Sequence, residues 1–199
     1  PVVIDIPDDI QRADVDPEIL EHWSVNEDNP VKPWAVDLSE FKRPVIAIGW
    51  GVHLAGARAE ARAMIDRLGI PCVTTWGGYD IMAGHPLHIG NWGTHGVRAA
   101  NFAVQNADVV ITIGTRLDTK ATGSPASSFA PKAKLIMVDI DRNELAKMAK
   151  IGRPCTTIQA DAKAFIESLR PCGNYNGWLG KISRWMRDYP AVLPEYGRD

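Results

Sequence analysis

Asp108-Val109-Val110-Ile111-Thr112-Ile113-Gly114 is the stretch of this 199-residue chain that decides its fold. It is short, almost continuously apolar and closed by a glycine, which is typical of a strand buried on both faces of a parallel sheet. Further strands are predicted at Pro44–Gly49, Pro71–Thr75, Lys134–Asp139 and Cys155–Gln159. Strands that alternate with helical patterns predict a parallel sheet with right-handed crossovers.

Helical patterns lie between these strands. One apolar stripe at helical spacing ends at Gly69, the position of a C-terminal capping glycine. The members of the stripe are Ala57, Ala61, Met64, Ile65 and Leu68. Further helices are predicted at Val97–Asn106, Asp161–Leu169 and Tyr175–Asp188, and a long loop rich in glycine and histidine follows Thr75. The sequence therefore predicts an α/β fold: a Rossmann-like, doubly wound three-layer sandwich with a six-stranded, mainly parallel sheet.

Composition excludes several classes of function. A net charge of -2 and a pI near 6.2 argue against a nucleic-acid interface, which needs a clustered basic face. Three cysteines far apart in sequence indicate reduced thiols in a cytoplasmic protein. No apolar run approaches the roughly 18 residues of a membrane span. His85, His88 and His95 share one loop region, but no carboxylate or cysteine completes a usual zinc set, so no metal site is predicted.

In a doubly wound sheet, ligands bind beyond the carboxyl ends of the strands. The residues at these positions are Gly49, Gly51, Thr75, Trp76, Gly114, Arg116, Asp118, Asp139, Ile140 and Asp161. Glycines there let backbone N–H groups approach a phosphate or ring closely, Arg116 could pair with a diphosphate, and Asp139 could accept from ribose hydroxyls. The plainer alternative is that the glycines end strands and the aspartates cap helices. The NAD fingerprint is not met, because Gly56 stands two positions too late after Gly49 and Gly51.

Four motifs occur in order: Gly49-Trp50-Gly51, Gly90-Asn91-Trp92-Gly93-Thr94-His95-Gly96, Gly114-Thr115-Arg116-Leu117-Asp118 and Val138-Asp139-Ile140-Asp141. Together they resemble the central domain of thiamine-diphosphate-dependent enzymes of the acetolactate synthase large (catalytic) subunit family. The resemblance covers residues 43–170. It implies a cytoplasmic homo-oligomeric enzyme that acts on 2-oxo acids by decarboxylation and carboligation. Its thiamine diphosphate and magnesium would be held by the other two domains of the same chain.

The resemblance also implies a ligand for this domain, because several members of the family bind FAD or ADP here. It adds Trp92, Gly93, His95, Gly96 and Lys120 to the candidate site. Trp76 and Trp92 stand where flavin-binding members usually carry smaller side chains, and Lys120 stands where arginine is common. The two indoles could stack on a flavin, or they could fill its place and leave room only for ADP or for no ligand.

Three parts are expected along the chain. Residues 1–42 are interpreted as the tail of a preceding domain and a linker, with a strand at residues 2–6 and a short helix at residues 17–23 capped by Asp16. Residues 43–170 form the central nucleotide- or FAD-binding-type domain. Residues 171–199 form a C-terminal helix and a linker toward a missing third domain.

The polypeptide alone is expected to be neither catalytic nor able to bind thiamine diphosphate, because the family's magnesium–diphosphate motif begins Gly-Asp and no such pair occurs here. Three alternatives stay open. They are the middle domain of a thiamine-dependent decarboxylase or lyase with ADP or no ligand, a stand-alone nucleotide-binding module, and a scaffold domain whose tryptophans plug the site.

Overall fold

The computed structural model describes residues 4–19, 34, 36–148, 155–171 and 173–193. The chain divides into two compact units, Pro1–Pro30 and Val31–Asp199. The second unit contains every strand of the described chain, and the first contains one short helix, α1, at Asp8–Gln11.

The first unit departs from the sequence prediction at two places. No strand is present at residues 4–6, so that part of the predicted strand is wrong, and residues 2–3 lie outside the described residues. An isolated strand with no neighbour to pair with is not stable, which accounts for its absence. Residues 17–19 form a turn in which Asp16 Oδ1 accepts the N–H of Glu18 at 3.0 Å, and the rest of the predicted helix lies outside the described residues.

The second unit is built on a six-stranded, all-parallel sheet, as the sequence predicts. The strands are β1 Pro44–Ile48, β2 Cys72–Thr74, β3 His88–Asn91, β4 Val109–Ile113, β5 Lys134–Asp139 and β6 Cys155–Gln159. Their order across the sheet is β3-β2-β1-β4-β5-β6, and every neighbouring pair is parallel. The order reverses between β1 and β4, which is the switch point of a doubly wound sheet.

Strand β3 is the element that the sequence analysis treated as loop. It is an edge strand with one buried side chain, Ile89, and it contains Gly90 with a φ of 128°. Its pairing with β2 is irregular between Cys72 and Val73. Such a strand has neither the apolar run nor the alternation that identifies strands in a sequence, so only its pairing with β2 reveals it.

The helices cover both faces of the sheet. They are α2 Gly51–Leu54, α3 Arg58–Leu68, α4 Tyr79–Met82, α5 Arg98–Asn106, α6 Thr119–Thr122, α7 Arg142–Met148, α8 Ala162–Ser168 and α9 Asn176–Asp188. Single 3₁₀ turns occupy Trp76–Gly78 and Ala126–Ser128. The predicted stripe of α3 is buried in four of its positions within the helix, and Gly69 ends the helix with a φ of 63°. None of the described helices has the length and the apolar character needed to cross a membrane.

Two helix pairs form the outer layers. Helix α3 contacts α8, where the guanidinium of Arg67 donates to the carbonyls of Ile166 and Leu169 at 3.2 Å. Helix α5 contacts α9, and its Phe102 meets Trp185 edge-on at 5.7 Å. Helix α3 lies in the crossover from β1 to β2, and helix α5 lies in the crossover from β3 to β4. These two crossovers run in opposite directions across the sheet, so right-handed connections place the two helices on opposite faces.

Candidate functional site

A cleft of about 650 Å³ opens at the carboxyl ends of the strands. We call it the strand-end cleft. Its volume lies within the range of natural small-molecule pockets. Among the predicted residues, those that line it are Gly51, Thr75, Trp76, Trp92, His95, Gly114, Arg116, Asp118, Lys120, Asp139, Ile140 and Asp161, whereas Gly49, Gly93 and Gly96 do not.

Gly49, Gly51 and Gly114 bring the turn after β1 against the turn after β4. A Cβ added to Gly49 would lie 2.3 Å from the carbonyl oxygen of Gly114, and one added to Gly51 would lie 2.6 Å from the Gly114 Cα. The N–H groups of all three already donate within the chain, to Ile113, Gly114 and Val138. These glycines therefore allow two backbones to touch and do not present N–H groups to a phosphate.

Gly93 and Gly96 shape the loop that carries Trp92. Gly93 has a φ of 95°, and a Cβ there would lie 2.3 Å from the carbonyl oxygen of Lys120. The side chain of Asn101 accepts the N–H of Gly93 at 2.8 Å and donates to its carbonyl at 2.9 Å. The N–H of Thr94 donates to the Lys120 carbonyl at 2.8 Å. The loop is thus fixed to both α5 and α6.

Aromatic side chains line the end of the cleft formed by the segments that follow β1, β2 and β3. Trp50 is 54% exposed and Trp76 is 66% exposed. The Trp76 ring lies 5.2 Å from the ring of His95, at a tilt of 51°. Trp92 differs from both because it is only 5% exposed. Its Nε1–H is closed to solvent and has no hydrogen-bond acceptor among the described residues.

The loop after β4 supplies the positive charges of the cleft. Arg116 is largely exposed, and its Nε lies 4.0 Å from the Glu144 carboxylate. The buried Leu117, between Arg116 and Asp118, has a φ of 49°, an unfavourable backbone conformation for a non-glycine residue. Strain of this kind concentrates where a loop is held in place for binding.

Carboxylates line the cleft in the segments that follow β4, β5 and β6, and most of them stabilise local backbone. Asp118 Oδ1 accepts the N–H groups of Lys120 and Ala121 at the start of α6. Asp161 caps α8 in the same way, accepting the N–H of Ala164 at 3.1 Å. The capping role considered for these aspartates is therefore present.

Asp139 has a different arrangement. One of its oxygens, Oδ1, accepts the N–H of Asp141 at 2.9 Å. A carboxylate can accept several hydrogen bonds, so its second oxygen can still accept from a ligand hydroxyl.

Sequence reasoning missed lining residues that lie one turn inside the helices. Leu54 is at the end of α2 and Glu144 is in the first turn of α7, and both line the cleft. Helix α7 was not predicted. Residues four positions apart share a helix face, so the spacing from Trp50 to Leu54 was the signal that could have found the first of them.

The three histidines of the long loop region have separate partners. His85 Nε2 pairs with Asp66 at 3.0 Å, and His88 Nε2 pairs with Thr74 Oγ1 at 3.0 Å. Only His95 lines the cleft. Among the residues described here, no three His, Cys, Asp or Glu side chains are grouped so that they could hold a metal ion.

His88 is expected to make stability depend on pH. Burial above all, and then the nearby charges of His85 and Arg62, together lower its pKa from 6.5 to about 4. Between these values the unfolded chain binds a proton that the folded chain excludes, so stability falls as pH falls from about 6.5 toward 4. Because His88 is only part-buried, we expect a loss of about 1 kcal/mol between about pH 7 and pH 5.

Urea unfolding of wild type and His88→Gln at the two pH values measures this contribution. The variant keeps a polar side chain beside Thr74 and should lose most of the pH dependence. His95→Gln removes an exposed histidine and should keep it. Equal pH dependence in wild type and His88→Gln would show that another group is responsible.

Comparison with known proteins gives two results. Residues 33–169 match the family model described as "Thiamine pyrophosphate enzyme, central domain". The large subunits of acetolactate synthase isozymes 1 and 2 of Escherichia coli K12 are each 34% identical, over 98% and 96% of this chain but only 35% and 36% of their own lengths. A probable acetolactate synthase large subunit of Methanocaldococcus jannaschii is 36% identical over 85% of this chain. The chain thus spans about a third of the length of these relatives.

Proposed function

The chain belongs to the thiamine pyrophosphate enzyme family, as a central domain, and from this premise we propose that its strand-end cleft binds FAD. The observation that carries the proposal is the order in which aromatic, cationic and acidic side chains follow one another along the cleft. Aromatic rings lie at one end, two cationic side chains follow β4, and an available carboxylate oxygen lies near the other end. FAD presents matching groups: a flavin ring, a diphosphate and an adenosine ribose.

Arg116 and Lys120 would hold the diphosphate. Their loop is fixed by the Asp118 cap and by the contact of the Lys120 carbonyl with Thr94, so the two side chains start from a rigid base. Arginine can pair bidentately with phosphate oxygens, while lysine acts as a point charge. Asp139 would accept from ribose hydroxyls, as the sequence suggests.

Acidic side chains outnumber basic ones around the cleft, which opposes the binding of an anion. Two observations reduce this opposition. Asp118, Asp141 and Asp161 accept backbone N–H groups at the start of helices, where the helix dipole favours negative charge. Glu144 is paired with Lys147 at 2.6 Å.

The two indoles leave room for a flavin ring. The volume of about 650 Å³ is present with both side chains in place. Trp92 is packed into the wall, and Trp76 is two-thirds exposed, with a face free to stack on a planar ring. These positions favour FAD over a plugged scaffold and over ADP.

The simplest test is the visible absorbance of the purified 199-residue chain, followed by calorimetric titration with FAD, ADP and NAD. We expect either retained flavin or tight binding of added FAD, weaker binding of ADP and none of NAD. Equal affinities for FAD and ADP would assign the cleft to adenine nucleotides alone. No heat and no thermal shift with any of the three ligands would favour the scaffold alternative and contradict the proposal.

We propose further that this domain serves an acetolactate synthase-like enzyme that converts 2-oxo acids by decarboxylation and carboligation. The identity of 34% to two large subunits over almost the whole chain supports it. Thiamine diphosphate and magnesium would bind to the other domains of a homo-oligomer in the cytoplasm. Product analysis of the full-length protein with pyruvate and thiamine diphosphate tests this: acetolactate is expected, and acetaldehyde alone would indicate a decarboxylase.

A further inference from the structure

The indole N–H of Trp92 is a buried donor in the wall of the strand-end cleft. The side chain is 95% buried, and no acceptor lies within reach of Nε1 among the described residues. Burying a donor without a partner is unfavourable, and native structures contain few such groups. A donor left in this state beside a cleft is available to an acceptor on a bound ligand.

The loop backbone that carries this donor is fixed by its surroundings. The following residue, Gly93, exchanges two hydrogen bonds with the side chain of Asn101 and has no space for a Cβ against Lys120. The N–H of Gly96 closes the loop on the Gly93 carbonyl at 3.0 Å. These contacts fix the backbone beside Trp92, so its donor would meet a ligand through a rotation of the side chain or a displacement of the groups that cover it.

The other aromatic side chains of the same wall are free to move. Trp76 and His95 are exposed and contact each other at 5.2 Å. Exposed side chains change rotamer on a timescale of picoseconds to nanoseconds, so an entering ring can displace them. The wall thus combines a buried donor, carried on a fixed loop backbone, with movable aromatic faces.

We propose that Trp92 is a specificity-determining residue, whose Nε1–H donates to an acceptor on the edge of the bound flavin ring. This rests on the proposed binding of FAD. A flavin ring carries carbonyl oxygens and ring nitrogens in its plane, so one of them can meet the donor while the ring face meets Trp76. ADP has no ring at this end and leaves the donor unpaired.

Affinity measurements on Trp92→Phe separate the two ligands. Phenylalanine keeps an aromatic ring but lacks the N–H, so we expect FAD binding to weaken by about 10-fold and ADP binding to change little. Trp185→Phe is the matched control. It also loses an indole N–H and keeps an aromatic ring, but it lies in α9 and does not line the cleft, so FAD should bind within about 3-fold of wild type.

A second measurement does not depend on the folding of a variant. In the indole-¹⁵N-labelled wild-type chain, hydrogen exchange at Trp92 Nε1–H should slow on addition of FAD and stay unchanged with ADP. The proposal is overturned if FAD binds without changing this exchange rate, or if ADP slows it equally. If neither ligand produces heat or changes the exchange rate of any of the seven tryptophan indole N–H groups, the proposed binding of FAD fails as well.

Discussion

Gly49→Ala is expected to lower the free energy of unfolding by about 3 kcal/mol or more. The added Cβ would lie 2.3 Å from the Gly114 carbonyl oxygen and 2.6 Å from the Thr115 Cβ. Neither backbone can retreat, because Gly49 N–H donates to Ile113 and Gly51 N–H donates to Gly114, at 3.0 and 2.9 Å. The clash therefore separates β1 from β4 at the switch point.

Urea unfolding of Gly49→Ala beside Gly180→Ala measures this effect. Gly180 lies inside α9, is exposed, and an added Cβ would meet nothing within 4 Å. The control should gain about 0.5–1 kcal/mol, because alanine is a better helix former. An unfolding midpoint for Gly49→Ala equal to that of wild type would show that the two turns are not tightly packed.

The double variant Arg116→Ala/Lys120→Ala is expected to weaken FAD binding by about 100-fold. Hydrogen bonds to charged groups are the strong ones in binding, and these are the two basic side chains that line the cleft in the described part of the chain. Both are exposed, so part of their effect is screened by solvent and salt. The salt dependence of FAD affinity should fall in the variant for the same reason.

Lys132→Ala/Arg184→Ala is the control for this prediction. It removes the same net charge from exposed positions that do not line the cleft. Calorimetric titration should give it an affinity close to that of wild type. An equal loss of FAD affinity in both double variants would assign the effect to overall charge. Unchanged affinity in Arg116→Ala/Lys120→Ala would show that the diphosphate does not bind to this loop.

Apolar strands and capped helices are predictable because their signals are local. The run from Val109 to Ile113 is buried at every position, and the stripe of α3 ends at a left-handed Gly69. The parallel sense of the sheet follows from the alternation of strands and helices and from the handedness of crossovers, which need no side-chain detail. For the same reason, the lining of the cleft by Trp76, Asp139 and Ile140 follows from their place at strand ends.

Features that depend on contacts between distant segments were missed. Strand β3 has little apolar character and exists through its pairing with β2. Glu144 enters the cleft through α7, a helix without a strong sequence signal. Gly93 and Gly96 seemed from the sequence to face the ligand, yet they shape the loop behind it.

The α/β fold, the family resemblance and the strand-end location of the cleft can be read from the amino-acid sequence, because periodicity and turn residues act over a few neighbouring positions. The folded structure assigns what each residue does there. It pairs the N–H groups of Gly49, Gly51 and Gly114 with backbone carbonyls, whereas the indole N–H of Trp92 has no such partner among the described residues. Hydrogen-bond satisfaction depends on which groups meet in space, and residues far apart in the chain supply those groups.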